Sequence, residues 1–312
     1  MKLATRINSY LRIEGYDLEK SFSDFKKVGL GYVDLNYPEH VKGYDANTMK
    51  SLLNKYDLKL NGVALRFRNK FINGELGNSD PELAKDALQL CKDAADYCRA
   101  VGGKVVTIWD GFDYSFQINY KRVWDQLVHA FQEVCDYAPD LQISIEYKPY
   151  EERSYAFIDS MGVTGMMLND INRDNIGVTL DYCHMLMKHE NPAFAADIFG
   201  SRNKLYGIHL NDGYGVHDDG LMIGTSTPFK TLEMLYYFKK HGYKNAIYFD
   251  TFPVIEEAAA ECERNIEMIN YMNNLIDKVG LDYIQSIIDR NDAIAASKLM
   301  LGFFKGGEKN EL

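Results

Sequence analysis

The sequence has no excess of basic side chains and no long apolar run. Its 35 lysines and arginines are outnumbered by 45 aspartates and glutamates, which gives a formal net charge of −10. Proteins that bind phosphate backbones normally carry a basic surface, so nucleic acid is disfavoured as a partner. No apolar run approaches the roughly 18 residues of a membrane span, and the N-terminus lacks a continuous apolar segment. We therefore predict neither a membrane span nor a signal peptide.

Cysteines are few and show no pairing pattern. Their number is odd and no CxxC motif occurs, which is typical of reduced, mostly buried thiols in a cytoplasmic protein. The five are Cys91, Cys98, Cys135, Cys183 and Cys262.

The chain also lacks a segment that would divide it. No Pro/Gly/Ser-rich linker or low-complexity stretch interrupts its 312 residues, and 46% of them are hydrophobic, enough for a large core. A single (β/α) barrel commonly needs about 250 residues or more. We therefore expect one domain, with a barrel over residues 1–276 and a C-terminal helical extension over 277–312.

Short apolar runs alternate with amphipathic segments eight times. The predicted strands lie near 3–7, 30–36, 59–66, 104–109, 141–147, 176–181, 205–210 and 245–250. The predicted helices lie near 18–28, 46–57, 81–101, 118–137, 151–171, 191–199, 229–242 and 255–276. Asp80-Pro81 and Gly102-Gly103 are typical start and stop signals for the third helix. Strict alternation implies a parallel sheet, and eight repeats favour closure into a (β/α)8 TIM barrel.

The stretch 143–149 carries an acid and a base where a predicted strand ends. Ile143 and Ile145 alternate with a serine, and Glu146 and Lys148 follow two residues apart. On a strand, that spacing places both side chains on one face. The alternative is a surface ion pair, which would contribute under about 1 kcal/mol.

Three further predicted strands end in a chemically active residue. After Glu146 come Asp181, His209 and Asp250, each behind an apolar run where a charged side chain is costly unless paired. In a barrel such groups meet at the C-terminal mouth, where carboxylates about 4–6 Å apart would repel by several kcal/mol. A divalent cation relieves that repulsion. Oxygen ligands with one or two imidazoles suit Mn²⁺, Mg²⁺ or Co²⁺, with Zn²⁺ as an alternative.

The segments after two of these strands offer ligands for a second ion. His184 follows in a D-x-x-H spacing, and the next loop holds Asp218 and Asp219. Each group has a structural alternative when taken singly. Asp250 can cap a helix, His184 can be a core residue, and His209 can bond a backbone carbonyl. The acidic pair before a glycine can form a turn.

Several of these motifs resemble those of one family. Glu146-x-Lys148-Pro149 is similar to the E-P-K-P segment of xylose isomerases. Asp181-x-x-His184 resembles their E-x-x-H, in the aspartate form of L-rhamnose isomerase-type enzymes. The run 209–220 resembles their H-x-N-D…D-D segment, although the two loop carboxylates are adjacent here rather than two residues apart. The resemblance spans about two thirds of the chain and indicates the xylose isomerase-like TIM barrel superfamily.

This resemblance implies a two-metal aldose–ketose isomerase that acts by a hydride shift. It implies a first ion held by four strand-end groups: Glu146, Asp181, His209 and Asp250. Asp181 would bridge to a second ion held by His184 and by Asp218 or Asp219. Lys148 would bond the substrate's carbonyl oxygen. The implied catalytic groups are Lys148, Glu146, His184 and Asp218.

Aromatic residues follow other predicted strands and would suit a sugar. Trp109 ends the fourth strand, with Phe112 and Tyr114 beyond it, and Phe67 follows the third. Aromatic faces can stack on sugar C–H groups while polar neighbours bind hydroxyls. His40, after the second strand, is a candidate for assisting ring opening. Ordinary packing at the rim is the alternative for each.

Two other functions remain open. A ketose 3-epimerase or hydroxypyruvate isomerase of the same superfamily would use one metal and an enediolate, and a sugar- or metal-binding barrel would have no turnover. A DNA-repair endonuclease is disfavoured by only seven histidines and the acidic charge.

The helical extension predicts self-association. Its apolar residues need cover, either from the barrel itself or from a second copy, and we expect a homodimer or homotetramer. They are Ile287, Ile288, Leu299, Leu301, Phe303 and Phe304.

Overall fold

The computed structural model describes residues 1–110, 118–151 and 154–304. Eight parallel strands surround a nearly closed barrel: β1 Leu3–Thr5, β2 Tyr32–Tyr37, β3 Lys59–Leu65, β4 Val105–Ile108, β5 Gln142–Glu146, β6 Ile176–Asp181, β7 Leu205–Leu210 and β8 Ile247–Phe249. Hydrogen-bonded neighbours follow the order β1, β8, β7, β6, β5, β4, β3, β2, and β2 returns to the side of β1. The predicted (β/α)8 TIM barrel is confirmed.

Helices follow the strands around the outside. They are α1 Asn8–Leu11, α2 Leu18–Val28, α3 Ala46–Lys55, α4 Pro81–Val101, α5 Tyr120–Tyr137, α6 Met161–Ile171, α7 Tyr182–Met187, α8 Pro192–Ser201, α9 Pro228–Lys240, α10 Ala258–Val279, α11 Leu281–Asp289 and α12 Ala293–Phe304. The signals at the ends of α4 act as predicted. Asp80 accepts the Glu82 N–H at 2.9 Å, and Gly102 ends the helix at a φ of +100°.

One predicted helix begins in the wrong place. The prediction of 151–171 extends ten residues too far toward the N-terminus, because α6 begins at Met161. Tyr150–Glu151 and Ser154–Tyr155 instead pair as a short two-stranded antiparallel sheet. The helix starts where its end groups find partners: Ser160 caps the Val163 N–H, and the Met161 N–H donates to Glu190 Oε1 at 2.8 Å.

The barrel interior contains a buried polar layer. Ser144 Oγ lies 2.6 Å from Thr179 Oγ1, which lies 3.3 Å from Thr107 Oγ1. Gly207 faces the same layer, and a Cβ there would lie 2.2 Å from Thr179 Oγ1. Side chains two positions further along each strand share the inward direction and lie at the C-terminal mouth.

The C-terminal helices pack on the barrel's own outer helices. Ile287, Leu299 and Phe303 are buried against α9 and α10, whereas Leu301 and Phe304 are 55% and 75% exposed. None of the helices within the described ranges is both long and apolar enough to cross a bilayer.

Candidate metal and substrate site

The period of the strands brings the predicted ligands together. Glu146, Asp181 and His209 each lie two residues beyond the polar layer at Ser144, Thr179 and Gly207, so their side chains enter the barrel mouth. Asp181 and His209 are direct partners across β6 and β7. All three are buried, at 6% exposure or less.

Two groups of ligand atoms converge at this mouth. Glu146, Asp181 and His184 form one group, and Asp181, His209 and Asp250 form the other. Within each group the ligand atoms lie within 4.8 Å of one another. Asp181 belongs to both, so its carboxylate lies between two potential ion positions. The strand ends thus carry an acid and imidazole cluster with the composition of a divalent-cation site.

The short helix α7 orients His184. Asp181 ends β6 and caps α7, accepting the His184 N–H at 3.1 Å. The ring atom Nδ1 lies 2.9 Å from the carbonyl oxygen of Tyr147, which can only accept, so Nδ1 carries the proton. That bond points Nε2 toward Asp218 Oδ2 at 3.4 Å and Asp181 Oδ1 at 3.9 Å. An imidazole fixed in this way is suited to bind a metal through Nε2.

Burial and mutual attraction shift the protonation of these groups. Burial alone would raise the pKa of Glu146, but His209, whose Nδ1 lies 3.1 Å away, lowers that pKa to about 2. Burial opposes the imidazolium of His209, yet Glu146 raises its pKa to about 9. Burial raises the pKa of Asp181 to about 7, opposed by His184 and reinforced by Asp218. Without an ion, protons balance the carboxylates, and a divalent cation would displace them.

Three buried carboxylate oxygens of this cluster have no hydrogen-bond partner among the described residues. They are Glu146 Oε2, Asp218 Oδ1 and Asp250 Oδ1, the last lying 3.4 Å from Arg6 Nε. Buried oxygens are normally satisfied, and leaving one unsatisfied costs about 1–3 kcal/mol. The residues therefore fit a divalent ion, because these atoms supply the coordination that such an ion requires.

The loop after β7 sends its two aspartates in different directions. Asp218 Oδ2 accepts a hydrogen bond from Lys148 Nζ at 2.9 Å and faces His184. Asp219 Oδ2 instead accepts the Tyr214 N–H at 2.7 Å and stabilises the loop. The structure brings Asp218 to the cluster and does not bring Asp219 to it.

A cavity of about 350 Å³ opens above the cluster. Trp109 and Lys148 line it, and the ammonium lies 5.4 Å from the centroid of the indole ring. His40 does not line the cavity. Its Nε2 is hydrogen-bonded to Oδ1 of Asn8, and Asn8 is one of the lining residues. Phe67 is half-buried and packs edge-on against Phe71 rather than lining the cavity. Phe112 and Tyr114 lie outside the described residues.

The basic wall of this cavity was not predicted from the sequence. Arg6 and Arg66 line it just beyond β1 and β3, together with Arg68, Asn8 and Phe252. The strand-end rule would have found Arg6 and Arg66, because each follows its strand directly. At the strand ends we considered acids, histidines, Lys148 and aromatic residues, but no arginines.

Comparison with known proteins agrees with the fold. The family described as xylose isomerase-like TIM barrel matches residues 22–271. A probable sugar isomerase of Mesorhizobium japonicum is 26% identical over 196 residues, covering 60% of this chain and 42% of that protein. A probable sugar isomerase of Rhizobium meliloti is 23% identical over 260 residues, covering 74% and 56%. The chain spans about half the length of these curated relatives.

Solved structures share the architecture at low identity. A D-tagatose 3-epimerase-like protein has a TM-score of 0.71 and 18% identity, covering 89% of this chain and 99% of that one. The IOLI protein, whose structure contains a bound zinc atom, has a TM-score of 0.66 and 17% identity, covering 89% and 97%. At these identities the likeness shows the fold alone.

Proposed function

The chain belongs to the xylose isomerase-like TIM barrel family, and on that premise we propose that it is a divalent-metal-dependent aldose–ketose isomerase of a small monosaccharide. One observation carries the proposal. Asp181 is shared by two groups of ligand atoms, and the ammonium of Lys148 lies beside that cluster on Asp218. The names of the two curated relatives, both probable sugar isomerases, support the same reaction class.

In this proposal Asp181, His209 and Asp250 would hold one ion, and Asp181 with His184 would hold a second, with Asp218 beside His184. Glu146, whose Oε1 lies 3.1 Å from His209 Nδ1 and 3.8 Å from His184 Nδ1, could complete either set. Mn²⁺, Mg²⁺ or Co²⁺ suits these donors, with Zn²⁺ as an alternative. When bound, the ions would act as Lewis acids on the oxygens at C1 and C2 of the sugar.

Lys148 and Trp109 supply the rest of the proposed chemistry. The hydrogen at C2 moves with its bonding electrons to the carbonyl carbon C1, and the O2 proton is transferred to O1. Lys148, which is buried and oriented by Asp218, donates a hydrogen bond to the carbonyl oxygen as negative charge builds there. The face of Trp109, which lines the cavity, supports the C–H side of the sugar.

The alternative is a 3-epimerase that uses proton transfer through an enediolate. Glu146 Oε2 favours it, because a buried carboxylate oxygen with no described hydrogen-bond partner can act as a base. Such an enzyme needs a second acid–base group on the opposite face of the substrate. Asp250 ends β8 but lies in an ion pair with Arg6, which makes it less suited to that role.

Isotope transfer tests the proposed function. Protein stripped of metal with a chelator and reloaded with Mn²⁺, Mg²⁺, Co²⁺ or Zn²⁺ should convert one member of an aldose panel to its ketose. With substrate deuterated at C2, deuterium should appear at C1 of the product. Extensive exchange with solvent would favour the epimerase-type mechanism, and sugar binding without conversion would indicate a non-catalytic barrel.

Matched variants locate the reaction at this site. Lys148→Met and His184→Ala should lose turnover while retaining their folded circular dichroism spectra. Lys121→Met is the control, since Lys121 is exposed on α5 and pairs with Asp125. Equal losses in Lys148→Met and Lys121→Met would contradict the assigned role of Lys148.

We also propose that the chain forms a homodimer or homotetramer through its C-terminal helices. Leu301 and Phe304 remain exposed on α12, and a second copy could cover them. Light scattering at micromolar concentration should report a multiple of 35.7 kDa. A purely monomeric result would exclude the proposal.

A further inference from the structure

We propose that the substrate carries an anionic group, a carboxylate or a phosphate, which Arg66, after β3, and Arg6, after β1, bind at the basic wall of the cavity. This inference rests on the proposed function and specifies its substrate class. Four cationic side chains line the cavity, and Arg68 is already paired with Glu39 at 2.8 Å, which leaves Arg6, Arg66 and Lys148. A neutral sugar can form hydrogen bonds with these side chains, but it carries no negative charge to balance their positive charges.

Arg66 is the clearest sign of a missing anion. It lines the cavity and is half-buried, yet its guanidinium makes no hydrogen bond or ion pair within the described ranges. Its backbone N–H alone is engaged, donating to the Tyr37 carbonyl at 2.9 Å. By contrast, Arg173, which is also half-buried, donates to both carboxylate oxygens of Asp136. A half-buried guanidinium without a partner is costly, and a bound anion would remove that cost.

Arg6 is held in place but keeps donors available. Its guanidinium lies 4.4 Å from the centroid of the Phe252 ring, and its Nε lies 3.4 Å from Asp250 Oδ1. The ring contact and the ion pair together restrict the side chain before any ligand arrives. A guanidinium has five N–H donors, so most remain for a ligand.

The charges of the cavity favour an anionic substrate. The four carboxylates Glu146, Asp181, Asp218 and Asp250 face three cations, Arg6, Arg66 and Lys148. With neutral histidines and one divalent ion bound, the site has a net charge of +1. With two divalent ions bound, its net charge is +3. A neutral sugar would leave that charge uncompensated in a partly enclosed space, whereas a carboxylate or phosphate would offset it.

The strands place Arg66 apart from the acidic groups. The carboxylates and histidines lie at or beyond the ends of β5 to β8, whereas Arg66 follows β3. Arg6 follows β1, which pairs with β8, and it lies between Arg66 and Asp250 in the strand order. Trp109, after β4, lines the same cavity. A substrate with its reacting carbons on the acidic side would therefore direct its far end toward the arginines. Two planar guanidinium groups suit an oxygen-rich anion at that end.

A matched substrate series tests the inference on the metal-loaded enzyme. An aldohexose, the corresponding hexuronic acid and the hexose 6-phosphate differ only at C6, and the last two distinguish carboxylate from phosphate. One anionic sugar should exceed the neutral one in kcat/KM by about tenfold or more. Arg66→Gln should bring that ratio close to one, Arg66→Lys should restore part of it, and Arg173→Gln should leave it unchanged. A preference for the neutral sugar that Arg66→Gln does not alter would overturn the inference.

A binding measurement separates this inference from the proposed function. If no sugar is converted, the isomerase proposal fails, and calorimetric titration with a hexitol, a hexonate and a hexitol phosphate decides the substrate class. Tighter binding of one anion, lost in Arg66→Gln, would uphold the arginine site without catalysis. Equal binding of all three compounds would overturn it.

Discussion

Replacing Asp181 with asparagine should have opposite effects with and without metal. Burial raises the pKa of Asp181 from 3.8 to about 7, which means that the ion-free fold loses stability as pH rises from 3.8 through 7. This pKa shift corresponds to a loss of at most about 4 kcal/mol in the free energy of unfolding, and neighbouring charged groups share that loss. Asparagine removes the charge yet keeps an oxygen for the His184 N–H, so the cap of α7 is retained.

We therefore expect Asp181→Asn to stabilise the ion-free protein at pH 8 by about 1–4 kcal/mol. Urea unfolding, followed by circular dichroism after chelation, measures this gain. Because Asp181 belongs to both ligand groups, calorimetric titration with Mn²⁺ should show affinity reduced by more than about 100-fold. Mn²⁺ should consequently raise the unfolding midpoint of the wild type and not that of the variant.

Asp212→Asn is the matched control. Asp212 is equally buried, but its carboxylate accepts hydrogen bonds from the backbone of Gly213, Ser226 and Thr227. Its replacement should destabilise the protein and leave Mn²⁺ binding intact. If Asp181→Asn destabilises the ion-free fold as much as Asp212→Asn does, and still binds Mn²⁺, the reasoning about the cluster is refuted.

Three further predictions concern single residues. Lys148→Met should lower kcat by about 100-fold or more while calorimetry still detects metal binding; an unchanged kcat would exclude its role. Gly207→Ala should destabilise the fold by about 1–3 kcal/mol in urea, because its Cβ would lie 2.2 Å from Thr179 Oγ1, and Gly165→Ala, with open space around it, is the control. Burial lowers the pKa of His40 from 6.5 to about 4, so protonation of this side chain disfavours the folded state. The free energy of unfolding should therefore be unaffected by His40 above pH 6.5 and should fall by up to about 3 kcal/mol as the pH is lowered toward 4. His40→Gln should flatten that part of the stability–pH curve, and an unchanged slope would argue against it.

The sequence was sufficient for the barrel because apolar strand segments and amphipathic helix segments alternate eight times along it. Side chains on a strand alternate between its two faces. Glu146, Asp181 and His209 each lie two residues beyond an inward-facing small or hydroxyl residue, so all three point into the same barrel mouth. The prediction of ligands was therefore a consequence of strand geometry. The position of His184 could not be predicted in this way, because it depends on α7. That helix has only six residues, which is too short for a helical pattern to be recognised in the sequence.

Loops account for most of what the sequence could not resolve. Asp218 and Asp219 are adjacent and chemically identical, and only the fold of their loop sends one to Lys148 and the other to the Tyr214 N–H. The start of α6 depends on Glu190, which reaches it from a distant segment. The basic wall is different, since Arg6 and Arg66 directly follow β1 and β3 and the strand-end rule applies to them as it does to Glu146. Only the structure shows that the Arg66 guanidinium has no partner among the described residues.

Anomalous diffraction from crystals of the protein grown with Mn²⁺ tests the metal site most directly. The account predicts a strong Mn²⁺ peak bounded by the carboxylates and imidazoles of Glu146, Asp181, His209 and Asp250, with a second peak near His184 and Asp218. The absence of an anomalous Mn²⁺ peak among these side chains, or a peak found only at the protein surface, would contradict the proposed metal site.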